Sequence, residues 1–220
     1  MRPEDLEILY VDDSLLVLVK PAGLLSVPGR GEDKQDCLSA RAQRLFADAR
    51  VVHRLDMATS GLMVMARGLA AERRLNDAFA NRNMAKRYVA VVDGHLPAPA
   101  EPWGVIDLPI SVDWPNRPLR RIDHATGKPS LTRWRVLTSD MTGLPPARPV
   151  TRIELEPVTG RSHQLRVHLR AIDHAIAGDH LYGSPAVQGL ANRLLLHACA
   201  LAFAHPTTGK NLQFVSSPPF

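Results

Sequence analysis

His53-Arg54-Leu55-Asp56-Met57-Ala58-Thr59-Ser60-Gly61 is the stretch on which the reading of this chain turns. Val51-Val52 leads into it, and the apolar run Leu62 to Ala66 follows as a buried strand. A carboxylate is therefore carried on a short connection beside a sheet, next to Arg54 and ahead of a tight Thr-Ser-Gly turn. A nearby guanidinium and hydrogen bonds to the charged form both keep an acid ionised. Gly61 permits a sharp backbone turn. An ionised Asp56 in a dry cleft can attack an electron-poor carbon or remove a weakly acidic proton. The plain alternative is an aspartate that caps a turn and pairs with Arg54 at the surface.

A second segment, far along the chain, shares this character: Thr159-Gly160-Arg161-Ser162-His163-Gln164-Leu165-Arg166-Val167-His168. Gly160 marks a turn, and Ser162 or Thr159 can cap a helix over Ser162 to Ile172 with Leu165, Leu169 and Ile172 inward. At helical spacing His163, Arg166 and Arg170 form one stripe. A helix start favours anions, so Arg161 can meet a phosphate while Arg166 reaches Asp56. A solvated basic face on an ordinary amphipathic helix is the alternative.

Outward from these two segments the chain alternates strands and helices. Leu6 to Val11 and Leu15 to Lys20 form a strand pair turned at Asp12-Asp13, stopped by Lys20-Pro21-Ala22-Gly23. Val27-Pro28-Gly29-Arg30-Gly31 is a loop. Leu38 to Phe46 and Leu69 to Arg82 suit helices, the second with Leu69, Leu75, Ala78 and Phe79 inward. Arg87 to Val92, Leu131 to Thr138, Val150 to Leu155, Leu201 to Ala204 and Leu212 to Val215 read as strands. Arg193 to Cys199 is ambiguous. Pro97 to Pro102 can hinge two halves, and Pro145-Pro146 and Pro149 fall in a connector. The pattern predicts one α+β domain with a large, mixed, mainly antiparallel sheet and flanking helices.

Composition narrows the partner. The 220 residues carry a net charge of +5, with 27 basic residues against 22 acidic. Arginine outnumbers lysine by a wide margin. Guanidinium groups grip phosphates in pairs of hydrogen bonds and stack on bases, which favours a polyanionic partner such as nucleic acid. An Arg-for-Lys codon bias is the competing account of that ratio. Tyr88 sits in Ala85-Lys86-Arg87-Tyr88-Val89, a strand entered through two cations. It is either a base-stacking platform or a core tyrosine. Trp114 in Asp113-Trp114-Pro115-Asn116-Arg117-Pro118-Leu119-Arg120-Arg121 poses the same choice, and Arg117, Arg120 and Arg121 tilt that loop toward RNA.

Several classes fall away. Cys37 and Cys199 fit no paired motif, so reduced thiols are expected. The N-terminus lacks the layout of a signal peptide, and no apolar run is long enough to cross a membrane, so a cytoplasmic protein is expected. The histidines at 163, 168, 174, 180, 197 and 205, with Asp179, have no tight metal-ligand spacing. Gly127-Lys128 is not a phosphate-binding loop, because Ile122 stands where a glycine is required. No metal and no nucleotide cofactor are expected.

The ordered motifs resemble the RluA-type pseudouridine synthases over nearly the whole chain. The run at 53–61 is similar to the family's catalytic motif, and Lys20-Pro21-Ala22-Gly23 to its first motif. Tyr88 falls where the family carries its active-site tyrosine. Gly160 to His168 resembles the third motif and Leu194-Leu195-Leu196-His197-Ala198 the last. Ser26 to Arg30, Asp113 to Pro118 and Thr126-Gly127-Lys128-Pro129 look most like the family's dual-specificity branch. The resemblance implies a single catalytic domain over 1–220 with a central RNA-binding cleft, lacking the S4-like N-terminal domain of many relatives. It implies an isomerase with Asp56, Tyr88 and Arg166 catalytic. Arg54, Lys86, Arg87, Arg117, Arg120, Arg121, Arg161 and His163 would contact RNA. The substrate would be a uridine in stem-loops of 23S rRNA and of a tRNA anticodon arm. The enzyme would be a monomer without cofactor, membrane or obligate protein partner. A non-catalytic stem-loop binder and a metal-dependent RNA hydrolase are the competing classes.

Overall fold

The computed structural model describes residues 6–138 and 148–220; Pro145-Pro146 lie outside them. In chain order the elements are β1 (Glu7–Val11), β2 (Leu15–Lys20), α1 (Leu38–Leu45), β3 (Ala49–Val51), β4 (Ser60–Arg67), α2 (Gly68–Ala80), β5 (Ala85–Asp93) and β6 (Gly104–Asp107). There follow β7 (Ile110–Val112), β8 (Arg120–Ile122), β9 (Leu131–Thr138), β10 (Val150–Pro157), α3 (Gln164–Ala171), α4 (Pro185–Gln188), β11 (Leu196–Ala204) and β12 (Asn211–Val215). They gather into two compact units. One runs to Lys86 and resumes over His197–Pro219; the other is Arg87–Leu196 with Phe220. The Pro97 to Pro102 stretch, expected as a hinge, lies inside the second unit, and the chain passes between units at 86/87 and 196/197 instead.

In the first unit β2 pairs antiparallel with β1 and β4, β4 also pairs antiparallel with β3, and β11 pairs parallel with β4 and antiparallel with β12. Successive side chains of a strand point to opposite faces, so a strand covered on both sides must be apolar throughout. Leu15-Leu16-Val17-Leu18 and Leu62 to Ala66 meet that requirement. Leu15, Val17, Leu62 and Val64 pack with Ala71 and Leu75 of α2 and with Phe203. Leu16, Leu18, Met63 and Met65 pack with Leu38 and Ala42 of α1 on the other face. Each fully buried leucine contributes roughly 1.5–3 kcal/mol.

Helix α2 begins one residue before the expected Leu69 and ends at Ala80, short of Arg82; Leu69 is 56% exposed and Ala71 takes the inward place. At 3.6 residues per turn, positions 71, 75, 78 and 79 fall on one stripe and 69 falls off it. Helix α1 is N-capped by Cys37, whose sulfur accepts the Ala40 N–H at 3.4 Å. The β1–β2 turn is closed by Asp12. Its Oδ1 accepts the Ser14 and Leu15 N–H groups at 2.7 and 2.9 Å. Its Oδ2 accepts Tyr10 Oη at 2.6 Å and His205 Nε2 at 2.8 Å. Burial pushes the Asp12 carboxyl up, but these hydrogen bonds outweigh it and hold the acid down at about 2.

In the second unit β10 lies between β5 and β9, and β6 pairs with β9, all antiparallel. Along β10, Thr151, Ile153 and Leu155 are buried while Arg152, Glu154 and Glu156 alternate outward. β7 and β8 form a separate two-stranded hairpin. Helix α3 is shorter than Ser162 to Ile172 because His163 adopts the left-handed conformation, at φ 58°, and serves as its N-cap residue. The expected Ser162 or Thr159 side-chain cap is not made. Gln164 Oε1 accepts the Arg161 N–H at 3.0 Å and the Thr159 hydroxyl at 2.7 Å instead.

Candidate active site

The Asp56 loop runs between β3 and β4, and its backbone is tied into the first unit on both sides of the acid. Leu55 is buried, its carbonyl accepts the Ser26 hydroxyl at 2.7 Å, and its N–H donates back to Ser26 Oγ at 3.1 Å. The Met57 carbonyl accepts the Gly23 N–H at 2.8 Å and Lys20 Nζ at 3.0 Å. Lys20 is fully buried, and its ammonium also donates to the Pro21 and Leu24 carbonyls at 2.8 and 2.7 Å. A buried charge is costly unless hydrogen-bonded, and here its donors knit the Lys20-Pro21-Ala22-Gly23 segment to the residue after Asp56.

The turn itself starts three residues earlier than Thr-Ser-Gly. It spans Asp56 to Thr59, with the Thr59 N–H on the Asp56 carbonyl at 3.1 Å, and Ser60 and Gly61 already belong to β4. Gly61 serves a different purpose from turning. At φ 114° it lies against β11, where a Cβ would run into the Ala198 backbone. That close approach aligns the parallel pairs His197↔Ser60 and Ala198↔Gly61. Ser60 Oγ lies 2.8 Å from His197 Nδ1, and His197 Nε2 lies 3.2 Å from the Ser216 carbonyl.

His53 opens the loop with its ring against Phe79, centroids 4.6 Å apart. Its Nε2 accepts the Val64 N–H at 3.0 Å. Burial, aided by the Lys86 charge, holds His53 down at about 3, so the imidazole is neutral as that bond requires. Burial also lowers Lys86. Arg54 is exposed and forms no ion pair among the described residues, so the Arg54–Asp56 surface pair is not made. Asp56 itself is half-buried.

Arg166 belongs to the second unit, and the helical stripe does not survive there. Gln164 to Leu169 are all buried, Arg166 only 4% exposed, while Arg170 is exposed beside Asp173. Arg166 donates from Nε and Nη2 to both oxygens of Asp179, at 2.8 and 2.6 Å. Asp179 is 1% exposed, and its Oδ1 also accepts the Leu181 and Tyr182 N–H groups at 2.9 and 3.1 Å. The Tyr182 ring lies 5.1 Å from the Arg166 guanidinium. Its hydroxyl is 2.7 Å from His163 Nδ1 and accepts the Arg120 N–H at 2.9 Å. Burial pushes Tyr182 up to about 12, so it stays a neutral phenol. His168, the other polar histidine of α3, is satisfied by Thr132 Oγ1 at 2.9 Å and the Leu108 carbonyl at 3.0 Å.

The remaining site candidates divide. Tyr88 is half-buried in β5, opposite Leu155. Arg87 points to the other face, where Nη1 meets Glu156 at 2.5 Å and the guanidinium lies 5.0 Å from the Trp103 ring. Arg133 and Arg135 flank the same ring at 5.2 and 4.8 Å. Arg117 stacks on the exposed Trp114 at 3.6 Å in the β7–β8 hairpin. Arg121 is exposed beside Asp123, and Arg161 is exposed near the Pro129 carbonyl at 3.4 Å. The structure thus groups Arg120, His163 and Arg166 through Tyr182 and sets Arg87 apart. No cluster of three metal-ligating side chains occurs among the described residues. Neither cysteine forms a disulfide among the described residues, and no described helix is long and apolar enough to cross a membrane.

Sequence reasoning missed Lys20 and Ser26 as supports of the Asp56 loop, and Asp179 and Tyr182 as partners of Arg166. The last two had a legible signal in Gly178-Asp179-His180-Leu181-Tyr182-Gly183, a polar segment closed by glycines. Gly178, at φ 74°, abuts the Arg193 carbonyl, where no Cβ fits.

Comparison with known proteins bears on the family and the fold. The family model for RNA pseudouridylate synthase matches residues 14–171. The dual-specificity RNA pseudouridine synthase RluA of Escherichia coli K12 is 48% identical over 217 residues, covering 98% of this chain and 94% of that protein. The protein of the same name from Haemophilus influenzae is 43% identical over 215 residues, covering 98% and 94%. The structure of human RNA pseudouridylate synthase domain containing 1 superimposes with a TM-score of 0.80 at 30% identity, covering all of this chain and 86% of the other. Human RNA pseudouridylate synthase domain containing 4 gives 0.70 at 27% identity, covering 97% and 88%. The α+β fold, with mixed, mainly antiparallel strands and flanking helices, is the one these proteins share, and this chain belongs to the RNA pseudouridine synthase family.

Proposed function

We propose that this isomerase converts uridine to pseudouridine in stem-loops of two RNA classes, 23S rRNA and the tRNA anticodon arm, with Asp56 as the reacting carboxylate. The observation that carries the reading is the loop at 53–61, anchored through Leu55 and Met57 and closed by the Thr59–Asp56 turn while holding Asp56 half-buried. Two relatives named for dual specificity, 48% and 43% identical, support the two RNA classes.

The chemistry needs little else. The N1–C1′ bond breaks, the uracil rotates, and C5 joins C1′ with loss of the C5 proton and uptake of one proton at N1. Nothing is oxidised and no group is transferred to another molecule, so the balance closes without a cofactor. Asp56 either adds to C1′ or takes the C2′ proton to give a glycal. Arg166 supplies the positive charge that pairs with Asp56. Tyr88 stacks on the everted uracil and assists proton transfer. Arg54, exposed beside the acid, fills the gap left in the RNA stack or holds a phosphate. Eversion costs a few kcal/mol and is cheapest in a loop. Phosphate contacts from Lys86, Arg87, Arg117, Arg120, Arg121, Arg161 and His163 offset it. The two compact units act as one catalytic domain, monomeric and cytoplasmic, without a protein partner.

The test is carbodiimide mapping of rRNA and tRNA incubated with the purified protein. Pseudouridine at loop positions in both classes, in full-length RNA and in the presence of a chelator, is the expected result. Shortened RNA would point to a hydrolase. Bound RNA with every uridine unchanged would leave only a binding protein.

A further inference from the structure

Tyr182 and Asp179 fall outside the motifs that led to the active site, yet they occupy the space between a buried arginine and an exposed basic hairpin. Asp179 grips Arg166 through two nitrogens and is itself fixed by the Leu181 and Tyr182 N–H groups. The turn that follows α3 is therefore locked to α3 by one carboxylate. Such a pair holds a guanidinium in a single plane, because the fork and the carboxylate are both rigid. Tyr182 extends the same turn outward. Its ring flanks the guanidinium, and its hydroxyl ends on His163, the left-handed N-cap residue of α3, and on the N–H of Arg120, the first residue of β8.

The Tyr182 hydroxyl oxygen accepts from the Arg120 N–H at 2.9 Å and lies within hydrogen-bond distance of His163 Nδ1. The bond to Arg120 uses the backbone, so it reports where β8 lies rather than which side chain occupies the position. The hairpin carries Arg117 in its turn and Arg120 and Arg121 on β8, with Arg117 stacked on Trp114 in the open. A force applied to the hairpin by an RNA backbone acts on Tyr182, and from there on the ring beside Arg166.

We infer that Tyr182 and Asp179 are positioning residues that couple RNA engagement at the β7–β8 hairpin to the orientation of Arg166. This rests on reading the chain as a pseudouridine synthase with Arg166 in its site. A substrate that grips the hairpin then reacts faster once bound, in addition to binding more tightly. The hairpin thereby contributes to selection among stem-loops at the chemical step.

The experiment measures tritium release from a stem-loop RNA labelled at uridine C5, in single turnover with enzyme in excess, beside filter binding of the same RNA. Tyr182→Phe removes the hydroxyl and keeps the ring. The expected result is a saturated rate about tenfold lower, as small misplacements of a catalytic group cost, with RNA affinity changed less than about threefold. Arg117→Ala is expected to lower both affinity and saturated rate in the parent. In the Tyr182→Phe background it should lower affinity alone, because the connection is already cut. A Tyr182→Phe rate within about twofold of the parent overturns the inference. So does a loss confined to binding, an Arg117→Ala rate loss equal in both backgrounds, or a Tyr182→Phe protein unfolded at the assay temperature. A parent protein that releases no tritium overturns the functional reading itself, which separates the two failures.

Discussion

The Asp56 loop and the β7–β8 hairpin are both short connections that carry charged side chains, and they are built in contrary ways. Around Asp56 the backbone is bonded into the core at Leu55 and Met57, and a buried ammonium closes it from beneath. The hairpin tip holds itself together with its own turn, through Asp113–Leu119 and Asn116–Leu119 backbone bonds at 3.1 and 2.9 Å. Trp114 and Arg117 stack there in solvent. A group that must meet one carbon atom has to be held to a fraction of an ångström. A group that meets a phosphate backbone works through charge at longer range and tolerates motion. The contrast separates chemistry from grip.

The sharpest test of that separation is Asp56→Asn. It should leave the fold and RNA affinity unchanged and remove turnover by a factor on the order of a thousand or more, read by tritium release. Measurable turnover in that variant would remove Asp56 from the reaction. Arg166→Ala should keep RNA binding and lose most activity. It also leaves Asp179 buried without its ion-pair partner, which should cost about 3–5 kcal/mol in a denaturant titration. An unchanged rate would place Arg166 outside the site. Gly61→Ala attacks the scaffold beneath the loop. A Cβ there meets the Ala198 backbone at an unfavourable φ, so a loss of about 2–4 kcal/mol is expected, with activity falling in step.

On the hairpin side the effects should be smaller. Arg117→Ala should weaken RNA binding roughly fivefold and reduce the salt slope by about one, with thermal stability untouched. A variant with the parent's salt slope would show that the hairpin tip does not touch phosphate. The last test concerns acid. His53 is held at about 3 in the folded chain, against an ordinary value of 6.5. The unfolded chain therefore binds the proton first, and the stability this group provides above pH 6.5 is lost progressively as pH falls toward 3. Replacing His53 by Gln, which keeps an acceptor, should flatten the stability profile across that window. An unaltered profile would mean that the ring titrates normally.

Much of this architecture was legible from residue order. β2 and β4 announced themselves as unbroken apolar runs, because both of their faces are covered. β10 was legible for the opposite reason, since its Thr151, Ile153 and Leu155 alternate with charges. The motif at 53–61 located the acid. What remained hidden depended on contacts between distant residues. Arg166 read as one charge on a basic stripe, since nothing local reveals that α3 is buried nearly all round or that Asp179 lies against it. Lys20 read as the end of a strand, because a lysine buried among carbonyls is indistinguishable in sequence from an exposed one. Gly61 read as a turn residue, while its place is set by a strand more than a hundred residues later. The neighbours of Arg87, Glu156 and Trp103, were equally hidden, because they come from strand pairing and not from nearby sequence.

The first unit is assembled from both ends of the polypeptide, and the second from its middle. Asp12 and His205 meet across 193 residues, and Ser14 and Thr207 across the same interval. During synthesis the middle unit leaves the ribosome with all but its last residue present, while β1, β2 and β4 wait for β11 and β12. Pairings that distant close slowly. The nascent protein therefore carries the Asp56 loop unsupported by Ala198 until β11 has been made, and the loop is braced only after the whole middle unit has emerged.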